Sequence, residues 1–234
     1  MSRRTLAIVA LAAVALVVAL VAFQLRGSGG SAAQGAVNRA AATAGALAAG
    51  IPQAGNHFGS ATAPVHITEY ADFKCPFCAA ASRNILPRLI RDEVTAGRVD
   101  LTLRPIRLPD GQGGARLGGD TERGVFAAMA AERQNRMLQF AEALFAVQQD
   151  EGTAWVTDAV VTRVARAVGL DMPAWTRDYG SGAVTAELYA NEQAAARDGL
   201  DGTPFFVIRG PRGRVTTSES RDFAAFQAAI RKVR

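Results

Sequence analysis

The sequence predicts an α/β fold, a mixed sheet interrupted by an all-helical insertion, on three observations. Two stretches with period-two apolar alternation, "VHITEYADF" from Val65 and "RVDLTLRPI" from Arg98, enclose a helical segment. From Thr121 to about Arg197 the chain is almost wholly helical in pattern. Strand character then returns in "PFFVIRG" and "RVTT", ahead of a final amphipathic helix.

In chain order, the first element is "MSRRT" followed by Leu6–Phe23, an uncharged apolar run of 18 residues. As a helix it would extend roughly 27 Å, near the hydrocarbon thickness of a thin bilayer. Arginines ahead of such a span stay in the cytoplasm and the remaining chain is exported. A cleaved signal peptide with "SAAQ" (Ser31–Gln34) near its cut site is the alternative, and a buried core helix a third. Under the first two readings the folded part sits outside the cytoplasm, where disulfides persist. Residues 1–26 are therefore expected to be a signal anchor or signal. Residues 27–55, opening on "RGSGGSAAQG", are expected to be a flexible linker; "AVNRAAATAGALAAG" within it could form a weak helix, but its glycines and lack of large side chains argue against a core element. The domain proper is expected over 56–234, with the helical insertion at about 115–198.

Within the domain, Val65, Ile67, Ala71 and Phe73 form the apolar face of the first strand, and Glu69 shares that face. Pro76 suits the first turn of the helix that follows, and Pro87 is placed to kink it. The inserted helices break at Gly152, Gly169 and around Pro173. "GPRG" is a turn joining the last two strands, Ser220 is the expected cap of the last helix, and Phe223, Phe226 and Ile230 are its apolar face. No internal repeat is present.

Composition excludes some functions. With 49% apolar and 20% charged residues over 234 positions, the chain can bury a core. The net charge of +5 includes Arg3, Arg4 and Arg26 in a segment without acids, which leaves 23 basic against 21 acidic residues elsewhere. No basic block with interleaved aromatics marks a nucleic-acid surface.

The chemistry concentrates in "DFKCPFCAAAS", which holds both cysteines, Cys75 and Cys78. A structural zinc site needs four ligands, and with only His57 and His66 as histidines it would have to recruit carboxylates. A structural staple closing two intervening residues restricts the unfolded chain least. A redox centre uses every local feature. A strand feeding a helix places Cys75 at the helix N-terminus, where unpaired N–H groups favour a thiolate, and Lys74 adds an adjacent cation. Cys78, one turn on, is the resolving thiol. Glu69 is either a buried acid whose pKa rises with burial, able to exchange a proton with Cys78, or an exposed residue released by a register change or a salt bridge.

These residues resemble a known family. "APVHITEYADFKCPFC" looks like the opening of the DsbA-like thiol-disulfide oxidoreductases of the thioredoxin superfamily, and "GLDGTPFFVIRG" like their second signature. The resemblance covers about His57 to Arg234. It implies a thioredoxin-like fold with an inserted helical subdomain, Cys75 and Cys78 as the redox pair, and Glu69 as the superfamily's buried acid. It also implies a cis Thr203–Pro204 bond beside the motif, able to hold an extended substrate, with Pro76, Phe77 and Lys74 tuning the couple. The family's best-known oxidases carry histidine where this chain has Phe77, so the resemblance by itself does not imply strong oxidising power. The implied activity is oxidation of dithiols in exported proteins, with no metal or organic cofactor. Reoxidation would come from a quinone-linked membrane protein of the DsbB or VKOR type. The alternatives are a reductase or isomerase with the same site, and a non-catalytic thiol- or metal-binding module.

Overall fold

The computed structural model describes residues 30–108 and 120–234, so the apolar run Leu6–Phe23, the expected signal segment 1–26 and residues 109–119 lie outside the described residues. The chain divides into two compact units, Met1–Ala36 and Val37–Arg234, and the second contains the strands, the later helices and the part of the first helix from Val37 on. Among the described residues no helix is long and apolar enough to cross a membrane.

The expected linker over 27–55 is corrected. Residues 30–47 form a helix, α1, and its Val37, Ala40, Ala41 and Ala44 join Ala48 and Ile51 in the main core. These residues recur at three- and four-residue steps, the stripe of an amphipathic helix. Small side chains bury little area each but let the helix backbone lie close to its neighbours, so the absence of large residues was a poor guide. The compact unit accordingly starts at Val37 rather than at residue 56.

Six strands form one sheet in the order β1-β2-β4-β3-β5-β6. They are β1 (Gln53–Ala54), β2 (His57–Gly59), β3 (Val65–Ala71), β4 (Val99–Pro105), β5 (Phe205–Gly210) and β6 (Gly213–Thr217). Only β3 and β4 run parallel, joined through α2 (Pro76–Asn84), α3 (Leu86–Leu89) and a π-helical turn (Ile90–Val94). α2 stops at Asn84, and Pro87 lies in the first turn of α3, where its missing N–H costs nothing. β3 is flanked on both sides, with Glu69 opposite Leu103 on β4 and Phe206 on β5.

Among the described residues between β4 and β5 lie five helices: α4 (Thr121–Glu132), α5 (Met137–Ala146), α6 (Asp158–Ala167), α7 (Met172–Tyr179) and α8 (Gly182–Asp198). α8 returns over the sheet, where Tyr70 donates to Asp198 at 2.8 Å and Asn191 to the Pro105 carbonyl at 3.2 Å. Those bonds explain why Tyr70, on the expected outer face of β3, is buried. α9 (Phe223–Val233) packs Phe226 edge-on against Phe206, with ring centroids 4.8 Å apart. Its cap is Asp222 rather than Ser220, accepting from Ala224 N and Ala225 N. The β5–β6 turn runs beneath the end of α9, and a Cβ at Gly210 would meet the Val233 carbonyl oxygen at 2.5 Å, so no larger residue fits.

Candidate active site

β3 sits inside the sheet, so the chain leaving its carboxyl end emerges mid-sheet, where open α/β sheets bind their ligands. Residues Asp72–Lys74 make the bend, Cys75 is the N-cap of α2 in extended conformation, and Pro76 starts the helix. Both thiols are free, the reduced state. Cys75 is 4% exposed and Cys78, one turn further, is 0% exposed.

The two thiols are unequal. The Cys78 thiol donates to the Cys75 sulfur and is the largest influence pulling Cys75 down from 9.0 to about 7. Burial opposes the pull, while the Thr203 side chain and the N–H groups of Cys78 and Phe77 add to it. Those N–H groups belong to the first turn of α2, where the helix dipole favours a negative charge. Burial pushes Cys78 well above 9.0, and its donation to Cys75 and the nearby Cys75 and Glu69 charges push the same way. The arrangement makes one thiolate-prone sulfur that keeps a little exposure and one proton-retaining sulfur that is fully buried.

The Thr203–Pro204 peptide, 128 residues downstream, is cis, and in its thiol form Cys75 Sγ donates to the Thr203 carbonyl at 3.3 Å. Glu69 is 2% exposed. Burial, with the Glu142 charge adding, raises its pKa from 4.5 to about 8. Thus Cys75, Cys78, Glu69, Thr203 and Pro204 come together at one end of β3.

Lys74 goes elsewhere and corrects the expectation of an adjacent free cation. It is 0% exposed, and its ammonium pairs with Asp120 and donates to the Thr153 carbonyl at 2.7 Å. Its charge is spent on the inserted segment rather than on Cys75. Phe77 is 50% exposed, with the Arg221 guanidinium 5.3 Å from its ring centroid.

Several polar groups around the motif had no signal in the sequence. Asp72 accepts from Lys74 N (2.8 Å), Thr121 Oγ1 (2.6 Å) and Leu108 N (2.9 Å). Burial nevertheless raises its pKa from 3.8 against those three bonds. Gln148 donates to the Phe73 and Cys75 carbonyls at 2.8 and 3.1 Å. Glu142, on α5, accepts from Ser82 Oγ on α2 at 2.7 Å. Burial raises Glu142 from 4.5 to about 8, with the Ser82 bond opposing it. In sequence, Glu142 is one polar residue among apolar helical ones, and only the docking of α5 on α2 shows that it is buried.

The two buried acids predict a pH dependence of stability. Glu69 and Glu142 ionise near 8 when folded and near 4.5 when unfolded, so across that window the folded state binds more protons. Their contribution to stability is fully present below pH 4.5, falls as the pH rises, and is gone above about 8. Denaturant midpoints measured from pH 4.5 to 8.5 are expected to decline, and Glu142→Gln to flatten the decline. A midpoint that rises with pH would contradict the burial of these acids in neutral form.

The profile of a family described as "DSBA-like thioredoxin domain" matches residues 66–231. A Bacillus anthracis protein named "Probable disulfide bond formation protein D" is 24% identical over 178 residues, covering 74% of this chain and 76% of that protein. The "Disulfide bond formation protein D" of Bacillus subtilis is 28% identical over 109 residues, 47% of this chain and 46% of that one. In structure, oxidised BdbD from Bacillus subtilis superposes with a TM-score of 0.65 at 18% identity, covering 76% of this chain and 92% of that one, a likeness of fold.

Proposed function

The chain belongs to the DSBA-like thioredoxin domain family and is a thiol-disulfide oxidoreductase of DsbA type, and on that premise we propose that it is a dithiol oxidase for exported proteins. The observation that carries the proposal is the inequality of the two thiols: a thiolate-prone Cys75 at the start of α2 and a fully buried, proton-retaining Cys78. The names of the Bacillus relatives, which describe disulfide formation, support the oxidising direction.

In the proposed cycle a substrate thiolate attacks Sγ of Cys75 in the Cys75–Cys78 disulfide. The Cys75–Cys78 bond breaks, a mixed disulfide forms, and Cys78 leaves as a thiolate that takes a proton from Glu69. Glu69 holds that proton at neutral pH because its pKa is raised to about 8. A second substrate thiolate then attacks the substrate sulfur and releases Cys75 as thiolate, so two electrons pass from substrate to enzyme. The backbone beside Thr203 and Pro204 holds the substrate chain extended by strand-like hydrogen bonds. In this reading the N-terminal apolar run places the enzyme on the outer side of the cytoplasmic membrane, anchored or released by cleavage. A quinone-linked membrane reoxidase of the DsbB or VKOR type restores the disulfide.

A second reading, reductase or isomerase, is favoured by one observation. Cys75 is lowered only to about 7. Among reference pairs, about 7 belongs to a reductant and about 3.5 to a strong oxidant. Equilibration of the full-length chain with glutathione decides between them. A potential near or above about −180 mV supports the oxidase, and one near about −270 mV replaces it with the reductase.

A further inference from the structure

One face of α5 addresses the redox loop at three successive points. Glu142 bonds Ser82 on α2, Phe145 packs on Phe73 with ring centroids 5.0 Å apart, and Gln148, just past the helix end, donates to the Phe73 and Cys75 carbonyls. The steps of three residues keep them on one side of the helix. Gln148 is held in place by its own backbone, which donates to the Phe145 carbonyl at 3.2 Å.

The Cys75 carbonyl does not need Gln148 for satisfaction. Inside α2 it already accepts from Cys78 N at 3.1 Å and Ala79 N at 3.2 Å. Phe73 lies past the end of β3, outside the strand ladder. The side-chain amide therefore ties together two carbonyls that bracket the residue before the attacking sulfur. A carbonyl oxygen carries partial negative charge, and one beside a thiolate disfavours it unless a donor offsets that charge.

We propose that Gln148 is a positioning residue for the thiol-disulfide reaction: its amide fixes the Phe73–Cys75 loop and offsets the two carbonyl dipoles beside the Cys75 thiolate. The helical insertion thereby sets the reactivity of a cysteine that belongs to the thioredoxin-like part of the chain. The inference rests on Cys75 being the attacking thiol. The Lys74–Asp120 pair and the Asp72–Thr121 bond tie the same loop to the same insertion, and their burial leaves the loop little freedom to compensate.

The test uses the full-length protein and two variants, Gln148→Leu, which removes the donors, and the near-isosteric Gln148→Glu, which replaces them with acceptors. The Cys75 thiolate is followed by its ultraviolet absorbance against pH, beside the glutathione equilibrium and a denaturant titration. In Gln148→Leu the titration midpoint is expected to rise by about 0.5 to 1 pH unit, so the thiolate fraction below the midpoint falls roughly 3- to 10-fold. Gln148→Glu is expected to raise it further, and the disulfide to become less oxidising in step. If either folded variant titrates as the wild type does, the inference is overturned, whatever the change in denaturation midpoint, because a merely structural role moves only that midpoint. Should one variant fail to fold, the other decides. Exchange that survives Cys75→Ser would instead remove the premise about the attacking thiol, a failure distinct from that of Gln148.

Discussion

Replacing Cys75 with Ser is expected to lower the rate of thiol-disulfide exchange by roughly 10⁴-fold or more, the scale on which losing a nucleophile acts. Given a substrate that already carries a disulfide, the Cys78→Ser variant is expected instead to trap it on Cys75: the Cys75 thiolate attacks one substrate sulfur and the other leaves as a thiolate. The difference follows from burial. Cys75 faces the Thr203 carbonyl and keeps a small exposed surface while Cys78 is fully enclosed, so attack is expected at Cys75. Without Cys78 the mixed disulfide loses the intramolecular thiol that resolves it, and it should accumulate as a species sensitive to reductant on a non-reducing gel. An adduct on the Cys75 variant and none on the Cys78 variant would reverse the roles. Glu69→Gln keeps the shape of the acid but cannot exchange the proton. It should slow the steps in which Cys78 leaves Cys75 or attacks it about 10²-fold near neutral pH, the usual scale for a positioned acid or base. Kinetics of those steps unchanged from pH 5 to 8 would remove Glu69 from the mechanism.

The second large effect concerns stability. Asp120→Ala is expected to destabilise the fold by about 3–5 kcal/mol, because it leaves the fully buried Lys74 ammonium with only the Thr153 carbonyl as a strong partner. The same change removes the acceptor of Val156 N, bonded at 2.7 Å. In a domain of this size the melting temperature should fall by roughly 10 °C. Removing both charges, as in Lys74→Met with Asp120→Leu, should restore much of the loss, since neither desolvated ion remains. A calorimetric loss below about 1 kcal/mol in Asp120→Ala would mean that the ammonium reaches water and that the pair does not hold the insertion to the loop.

Much of this site was legible in the sequence because its chemistry is local. Cys75 and Cys78 fall within one helical turn, Pro76 marks the helix start, and the alternation of β3 puts Glu69 among its apolar residues, where the tertiary structure then buries it. The Thr203–Pro204 segment was reached through resemblance, since nothing within "GTPFF" says what it faces. Lys74 shows the limit of local reading. Adjacency to Cys75 suggested an electrostatic partner, but successive residues in a bend point different ways, and the tertiary structure gave Lys74 an acid 46 residues on. Glu142 and Gln148 were invisible for the converse reason: their helix is ordinary in pattern, and only its docking beside α2 turns a polar residue at its end into a donor to the Cys75 carbonyl. The helix over residues 30–47 is legible as a weak helix, but its place in the core is not, because alanine contributes little hydrophobic signal while packing closely.

By itself the sequence determined the class of the fold, the placing of two cysteines within one helical turn and the alternation that carries Glu69. Those depend on secondary-structure period and on spacing within one turn, which the backbone imposes directly. Only the tertiary structure decided which charges are spent and which remain to act on Cys75, because burial and partner choice arise when distant helices pack onto one loop.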